Sequence, residues 1–169
     1  MAKDKLTKEE LAEIVYQTQS RHFDVDKFFK DINFPLLNKY LQDENETEND
    51  ILKAYTFNLW IIVLSMQKIF PNDYKEVLNI FMNLWWNRGE LKKTHKNIEN
   101  LMLSINADFN KYENAIVNKN DPIFSLSKTF IDHIFKKEIT DIRVIAHIGI
   151  YFDETLKAYE KIFSKIRLK

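Results

Sequence analysis

Cysteine is absent from the 169 residues of this chain. A chain without thiols has no disulfide bonds, no zinc–thiolate or iron–sulfur site, and no cysteine nucleophile. Its N-terminus is charged where a secretory signal would need an apolar stretch. Both features fit a reducing compartment and predict a cytoplasmic protein.

Glycine and proline are scarce, with two and three residues respectively. Sheet proteins need many turns with positive φ, so this composition predicts a few long elements. Loops that bind phosphate need several glycines at fixed spacing, which excludes Walker and dinucleotide-binding motifs. No serine has the flanking glycines of a nucleophile elbow, which argues against a lipase-like hydrolase. The sequence predicts no cofactor.

Long apolar runs are also missing. The most apolar stretch, 59–64, remains about half the roughly 20 residues of a membrane-spanning helix even when it is extended to 57–66. We therefore expect no membrane span, and we interpret this stretch as a buried core helix.

Metal-binding motifs are absent as well. The Glu-x-x-His pair of carboxylate-bridged bundles places two ligands on one helix face, but no histidine here has a carboxylate three residues before it. The His-Glu-x-x-His motif is missing too. The sequence predicts no metal site.

Apolar side chains that recur every three or four residues dominate the chain. They predict an all-α fold: a single domain over residues 1–169 with seven or eight helices around an aromatic-rich core. The predicted helices cover about 8–20, 24–32, 35–41, 50–70, 71–87, 90–117, 122–135 and a last segment from 142.

Local signals define several of the predicted ends. Thr7 and Glu10 have capping-box spacing, and Asp121-Pro122 has the pattern of a helix cap followed by proline at the first position. Residues 43–50 are mostly acidic and predict an exposed loop.

The segment 142–152 fits two structures. Every even position is apolar, the period of a half-buried strand, but the spacing also fits a helix. We favour the helix because a lone strand would have no partner in this chain. Gly149 would then permit a close helix crossing.

Residues 85–96 are the most unusual segment, because two tryptophans precede a basic helix start. Lysines in a first turn oppose the helix macrodipole, and a bound phosphate or an acidic partner would relieve that repulsion. The alternative is that the tryptophans lie in the core and the lysines form a solvated face. The candidate binding residues are Trp85, Trp86, Lys92, Lys93 and Lys96.

Within this segment six residues separate Arg88 from His95. An arginine followed after four to six residues by a histidine resembles the signature of the HEPN family, small helical domains that include dimeric, metal-independent ribonucleases. The resemblance covers these two positions and the fold class, and Gly89 stands where that family commonly has a polar residue. It implies that Arg88 stabilises a phosphate and that His95 transfers a proton. The alternative is a half-buried core histidine.

Three functional classes remain. The first is a non-enzymatic binding or regulatory protein, of the accessory, immunity or inhibitor type found in bacteria and phages, that docks on another protein. The second is the HEPN-like ribonuclease, or a nucleic-acid binder that uses residues 88–96. The third is a small-molecule binder with an apolar pocket between helices. The sequence pattern does not determine the oligomeric state.

Overall fold

A computed structural model describes residues 4–21, 48–88, 97–117, 120–135 and 139–169. These residues form six helices and a two-stranded sheet. In chain order the elements are β1 (Asp4–Leu6), α1 (Lys8–Arg21), α2 (Glu48–Ile69), α3 (Tyr74–Arg88), α4 (Ile98–Val117), α5 (Pro122–Ile134), α6 (Ile142–Phe163) and β2 (Ile166–Leu168).

The all-α prediction is confirmed, whereas the described residues hold six helices and not the seven or eight predicted for the whole chain. The helices predicted over 24–32 and 35–41 lie outside the described residues. So do residues 43–47 of the predicted acidic loop, whose last three residues instead begin α2. Helix α4 begins at Ile98, and most of the earlier start predicted for it, from about 90, is likewise not described.

Helix α2 is the central element of the fold. It packs against each of the other five described helices, and every residue from Ala54 to Val63 is buried. A helix that is apolar almost all round must be enclosed by neighbours, since no face of it suits water. The prediction of a central core helix is confirmed.

Two helix starts have the predicted caps. The Thr7 Oγ accepts from the Glu10 backbone N–H at 3.2 Å, and the Glu10 carboxylate accepts from the Thr7 N–H at 2.7 Å, which is a reciprocal capping box. The Asp121 carboxylate accepts from the Phe124 N–H at 3.0 Å, with Pro122 at the first position of α5.

Aromatic rings fill the centre of the core. The indole of Trp60 is fully buried, and its centroid lies 5.4 Å from the ring of Tyr112 and 5.7 Å from that of Phe152. Phe57 contacts Phe130 with the centroids 4.2 Å apart. These pairs join α2 to α4, α5 and α6, so ring packing positions α5 and α6, which carry the groove described below.

The two ends of the described chain meet in a short parallel sheet that the sequence does not predict. Strand β1 pairs with β2, with Leu6 opposite Leu168, and the Lys169 N–H donates to the Leu6 carbonyl at 3.0 Å. Strands of three residues are too short to show a period, and the pairing joins opposite ends of the chain.

Candidate functional site

Near the end of α3 the two adjacent tryptophans point in different directions. Trp85 is 1% exposed, with its ring 4.7 Å from that of Tyr55 and 5.6 Å from that of Phe81. Trp86 is only partly buried and packs on the edge of the core. Adjacent helical residues differ by about 100° in direction, so one ring points inward while the other stays accessible. A binding partner would therefore meet Trp86 and not Trp85.

Arg88 is bound to α1. Its Nη1 donates to both carboxylate oxygens of Glu13, at 2.7 and 2.8 Å, and its guanidinium lies 5.5 Å from the centre of the Tyr16 ring. The side chain is still 50% exposed. A phosphate at this position would have to compete with the Glu13 carboxylate.

The remaining predicted site residues, Lys92, Lys93, His95 and Lys96, lie outside the described residues. The geometry between Arg88 and His95 is therefore not described, and the ribonuclease hypothesis stays a prediction.

A cluster of titratable groups that sequence reasoning missed lies between α4 and α5. His133 Nε2 lies 3.4 Å from Asp108 Oδ1, and Lys111 Nζ lies 3.1 Å from the same oxygen and 3.4 Å from His133 Nδ1. Nδ1 of the imidazole is within hydrogen-bonding distance of the Lys111 ammonium, and Nε2 faces the Asp108 carboxylate. With charged groups of α4 beside both ring nitrogens and the side chain only 6% exposed, the cluster joins two helices.

Burial lowers the pKa of His133, and the nearby ammonium groups of Lys111 and Lys53 act in the same direction, against the attraction of the Asp108 carboxylate. Protonation is therefore harder in the folded chain than in the unfolded chain. Only the tertiary packing of α4 on α5 brings His133 to Asp108, so no local spacing could have revealed this cluster.

An apolar groove lies between α5 and α6, with a volume of about 450 Å³. Four large apolar side chains along it are exposed. They are Ile123 (45%), Phe124 (39%), Ile142 (60%) and Ile150 (55%). Half of the exposed large hydrophobic residues that the structure describes thus line this one groove.

Gly149 lies where the two helices of the groove approach each other closely. A Cβ atom at this position would lie 2.6 Å from Cγ2 of Ile123 and 3.2 Å from Oγ of Ser127. Only a residue without a side chain permits this approach of α6 to α5. The close crossing that the sequence predicts at Gly149 is present.

Helix α6 has two apolar stripes, which explains the strand-like pattern of 142–152. Val144, Ile148 and Phe152 recur at four-residue steps and are buried. Their counterparts Ile142, Ala146 and Ile150 recur at the same step, are exposed, and line the groove. The two stripes together place an apolar residue at every even position. The prediction of a helix over this segment is confirmed, and the strand-like signal marks the candidate site.

The charged residues that line the groove are all acidic: Asp121, Asp153 and Glu154. Asp121 caps α5, Asp153 accepts from the Lys157 ammonium at 2.6 Å, and Glu154 is exposed. The groove thus combines an apolar floor with a negative rim. Apolar surface that is concentrated in one place and edged by polar groups is typical of interaction sites.

Comparisons with protein-family models, with curated proteins and with solved structures gave no match. In the described part of the chain, no helix has the length and apolarity to span a bilayer. Nor do the described residues bring together three side chains of the types that bind a metal ion. We infer a function from the groove, because it gathers exposed apolar side chains beside carboxylates.

Proposed function

We propose that this chain is a non-enzymatic docking protein, and that the groove between α5 and α6 binds an amphipathic helix of another protein. The observation that carries the proposal is the clustering of four exposed apolar side chains, Ile123, Phe124, Ile142 and Ile150, around one groove with an acidic rim.

The shape of the groove supports a helix as the occupant. The exposed stripe from Ile142 through Ala146 to Ile150 runs along α6 for about 12 Å, at 1.5 Å per residue. A helix with apolar residues at steps of three and four presents a ridge of matching length. The acidic rim in turn favours a partner with basic residues beside its apolar face, because opposite charges select and steer partners.

The gain from binding is estimated from the exposed side chains. Full burial of an isoleucine or phenylalanine side chain stabilises by about 1.5–3 kcal/mol, and roughly half of each of these four side chains remains open to the partner. Covering them contributes about 3–6 kcal/mol before the cost of association, so each anchor carries a measurable share.

Selection from a displayed library of amphipathic helices, with the full chain immobilised, tests the proposal. We expect enriched helices whose affinity falls at least tenfold for Ile150→Glu. Ile162→Glu is the matched control, because Ile162 lies on the same helix, is 48% exposed and does not line the groove. Failure to enrich any helix, or equal binding by Ile150→Glu, would refute the proposal.

A small apolar molecule is the rival occupant, because pockets for such ligands range from roughly 300 to 1,000 Å³. Native mass spectrometry separates the two. A small molecule that copurifies with the wild-type chain and is lost from Ile150→Glu would overturn the helix-binding proposal. The cytoplasmic location belongs to the proposal as well, and the absence of cysteine supports it.

A further inference from the structure

The negative charge of the groove is concentrated at one end. Along α6 the exposed apolar stripe begins at Ile142, and the two carboxylates come after it, at Asp153 and Glu154. The distance from Ile142 to Glu154 along the helix is about 18 Å. One end of the groove on α6 is therefore apolar and the other is acidic.

Asp121 is the carboxylate that the cap of α5 contributes to the groove. It precedes by two residues Ile123, whose Cγ2 is the atom that a Cβ at position 149 would meet first. Gly149 lies about one helical turn from Asp153 and about two turns from Ile142. Asp121 at the cap of α5 thus lies two residues from the contact at Gly149, and Asp153 on α6 lies about one turn from it.

These carboxylates differ in how far they are already neutralised. One oxygen of Asp121 serves the cap of α5, and Asp153 has the Lys157 ammonium 2.6 Å away. Glu154 is exposed, has no role in a cap, and interacts with the Lys157 ammonium only through coulombic attraction. It is therefore the position at which a change of charge tests recognition with the least effect on folding.

We infer that the helix bound in this groove carries lysine or arginine residues at one end only, and that it binds in one direction, with its basic end over Asp153 and Glu154. The inference rests on the proposed docking function. A helix placed the other way round would set its charges over the apolar end and away from Asp153 and Glu154, so opposite orientations are not equivalent.

The test uses the helices enriched in the library selection, with both ends of each helix randomised. We expect lysine and arginine to accumulate at one end of the enriched helices. Exposed charge pairs contribute little individually, so Glu154→Gln should weaken binding about twofold to fivefold and Glu154→Lys about tenfold or more. Both effects should shrink in high salt.

Glu113→Lys is the matched control, because Glu113 is an exposed glutamate on α4 that does not line the groove. A nitroxide label on the basic end of a selected helix should broaden the amide resonances of Asp153 and Glu154 more than that of Ile142. Enriched helices without a basic end, or broadening centred on Ile142, would overturn the inference and leave the docking proposal standing. No enrichment at all would remove both.

Discussion

Substitution of Gly149 by alanine is the sharpest perturbation that the structure offers. The added methyl group favours the helix through its higher propensity but overlaps with the neighbouring helix. Alanine is a better helix former than glycine by about 1 kcal/mol in a helix interior. Against this, the new methyl group would lie 2.6 Å from Ile123 Cγ2 and 3.2 Å from Ser127 Oγ. The first distance is far inside the optimum of roughly 3.5–4.0 Å for two carbon atoms.

The expected sign follows from the relative size of these effects. Extra atoms in a packed contact cost typically about 1–3 kcal/mol, because side chains leave their preferred rotamers or the backbone shifts. We expect the overlap to exceed the gain in helix propensity, so that Gly149→Ala lowers the free energy of unfolding by about 1 kcal/mol. Separation of α6 from α5 should also weaken helix binding in the groove.

A double-mutant cycle isolates the cause. In an Ile123→Ala background the Cγ2 atom is absent, and the hydroxyl of Ser127 can rotate away from the new methyl group. Gly149→Ala should there raise stability by about 0.5–1 kcal/mol, because mainly the gain in helix propensity remains. The coupling between the two positions should be about 1.5–2 kcal/mol.

Urea denaturation followed by circular dichroism at 222 nm measures all four free energies of unfolding of this cycle. If Gly149→Ala stabilises the wild-type chain, or if the coupling is below about 0.5 kcal/mol, then the two helices do not touch at this point as described. Gly149 would then not be the residue that holds the walls of the groove together.

Three further predictions concern the other groups described above. We expect the free energy of unfolding of the wild-type chain to fall as the pH drops below about 6.5, because the histidine of the unfolded chain takes up a proton more readily than the buried ring. His133→Gln should reduce this fall. Urea titrations at pH 7.5 and 5.5 measure the difference. Arg88→Gln and Glu13→Gln should each cost less than about 1 kcal/mol, since the pair is exposed; thermal unfolding measures the loss. Under the ribonuclease hypothesis, RNA cleavage should be lost in His95→Ala with an unchanged circular-dichroism spectrum.

Each of these predictions has an outcome that contradicts it. An equal pH response in wild type and His133→Gln would show that the lowered pKa of the ring does not affect stability. A loss of several kcal/mol in Arg88→Gln would mean that the contact with α1 is far more than a surface ion pair. Absence of RNA or DNA binding at low ionic strength would remove both nucleic-acid hypotheses, because phosphate contacts are strongest there.

The sequence predicts well those features that depend on local pattern. The capping box at Thr7, the cap at Asp121 and the central position of the helix around Trp60 all follow from spacing within a few residues. Gly149 is predictable in role because glycine in a helix interior usually has a packing reason. The residue that Gly149 contacts, Ile123, is not predictable from the sequence, since the contact depends on the relative placement of two helices.

Features created by packing between distant segments remain out of reach of sequence reasoning. Twenty-four residues separate Asp108 from His133, and about 160 separate Leu6 from Leu168. The groove is an intermediate case. Its exposed stripe on α6 is visible in the sequence, but apolar periodicity alone does not tell which of two stripes faces the core. The packing of α2 along α6 determines which of the two stripes is buried.

The acidic end of the groove also bears on whether a second copy of this chain could be the occupant. In a two-fold symmetric dimer the same surface meets itself, so two grooves that run antiparallel would place Glu154 of each copy over the apolar Ile142 end of the other. A carboxylate pressed onto apolar side chains loses water without gaining a partner, which is costly. Parallel placement would bring like charges together instead. Both arrangements are unfavourable, whereas a helix with one basic end, as proposed above, would satisfy the apolar floor and the carboxylates at once.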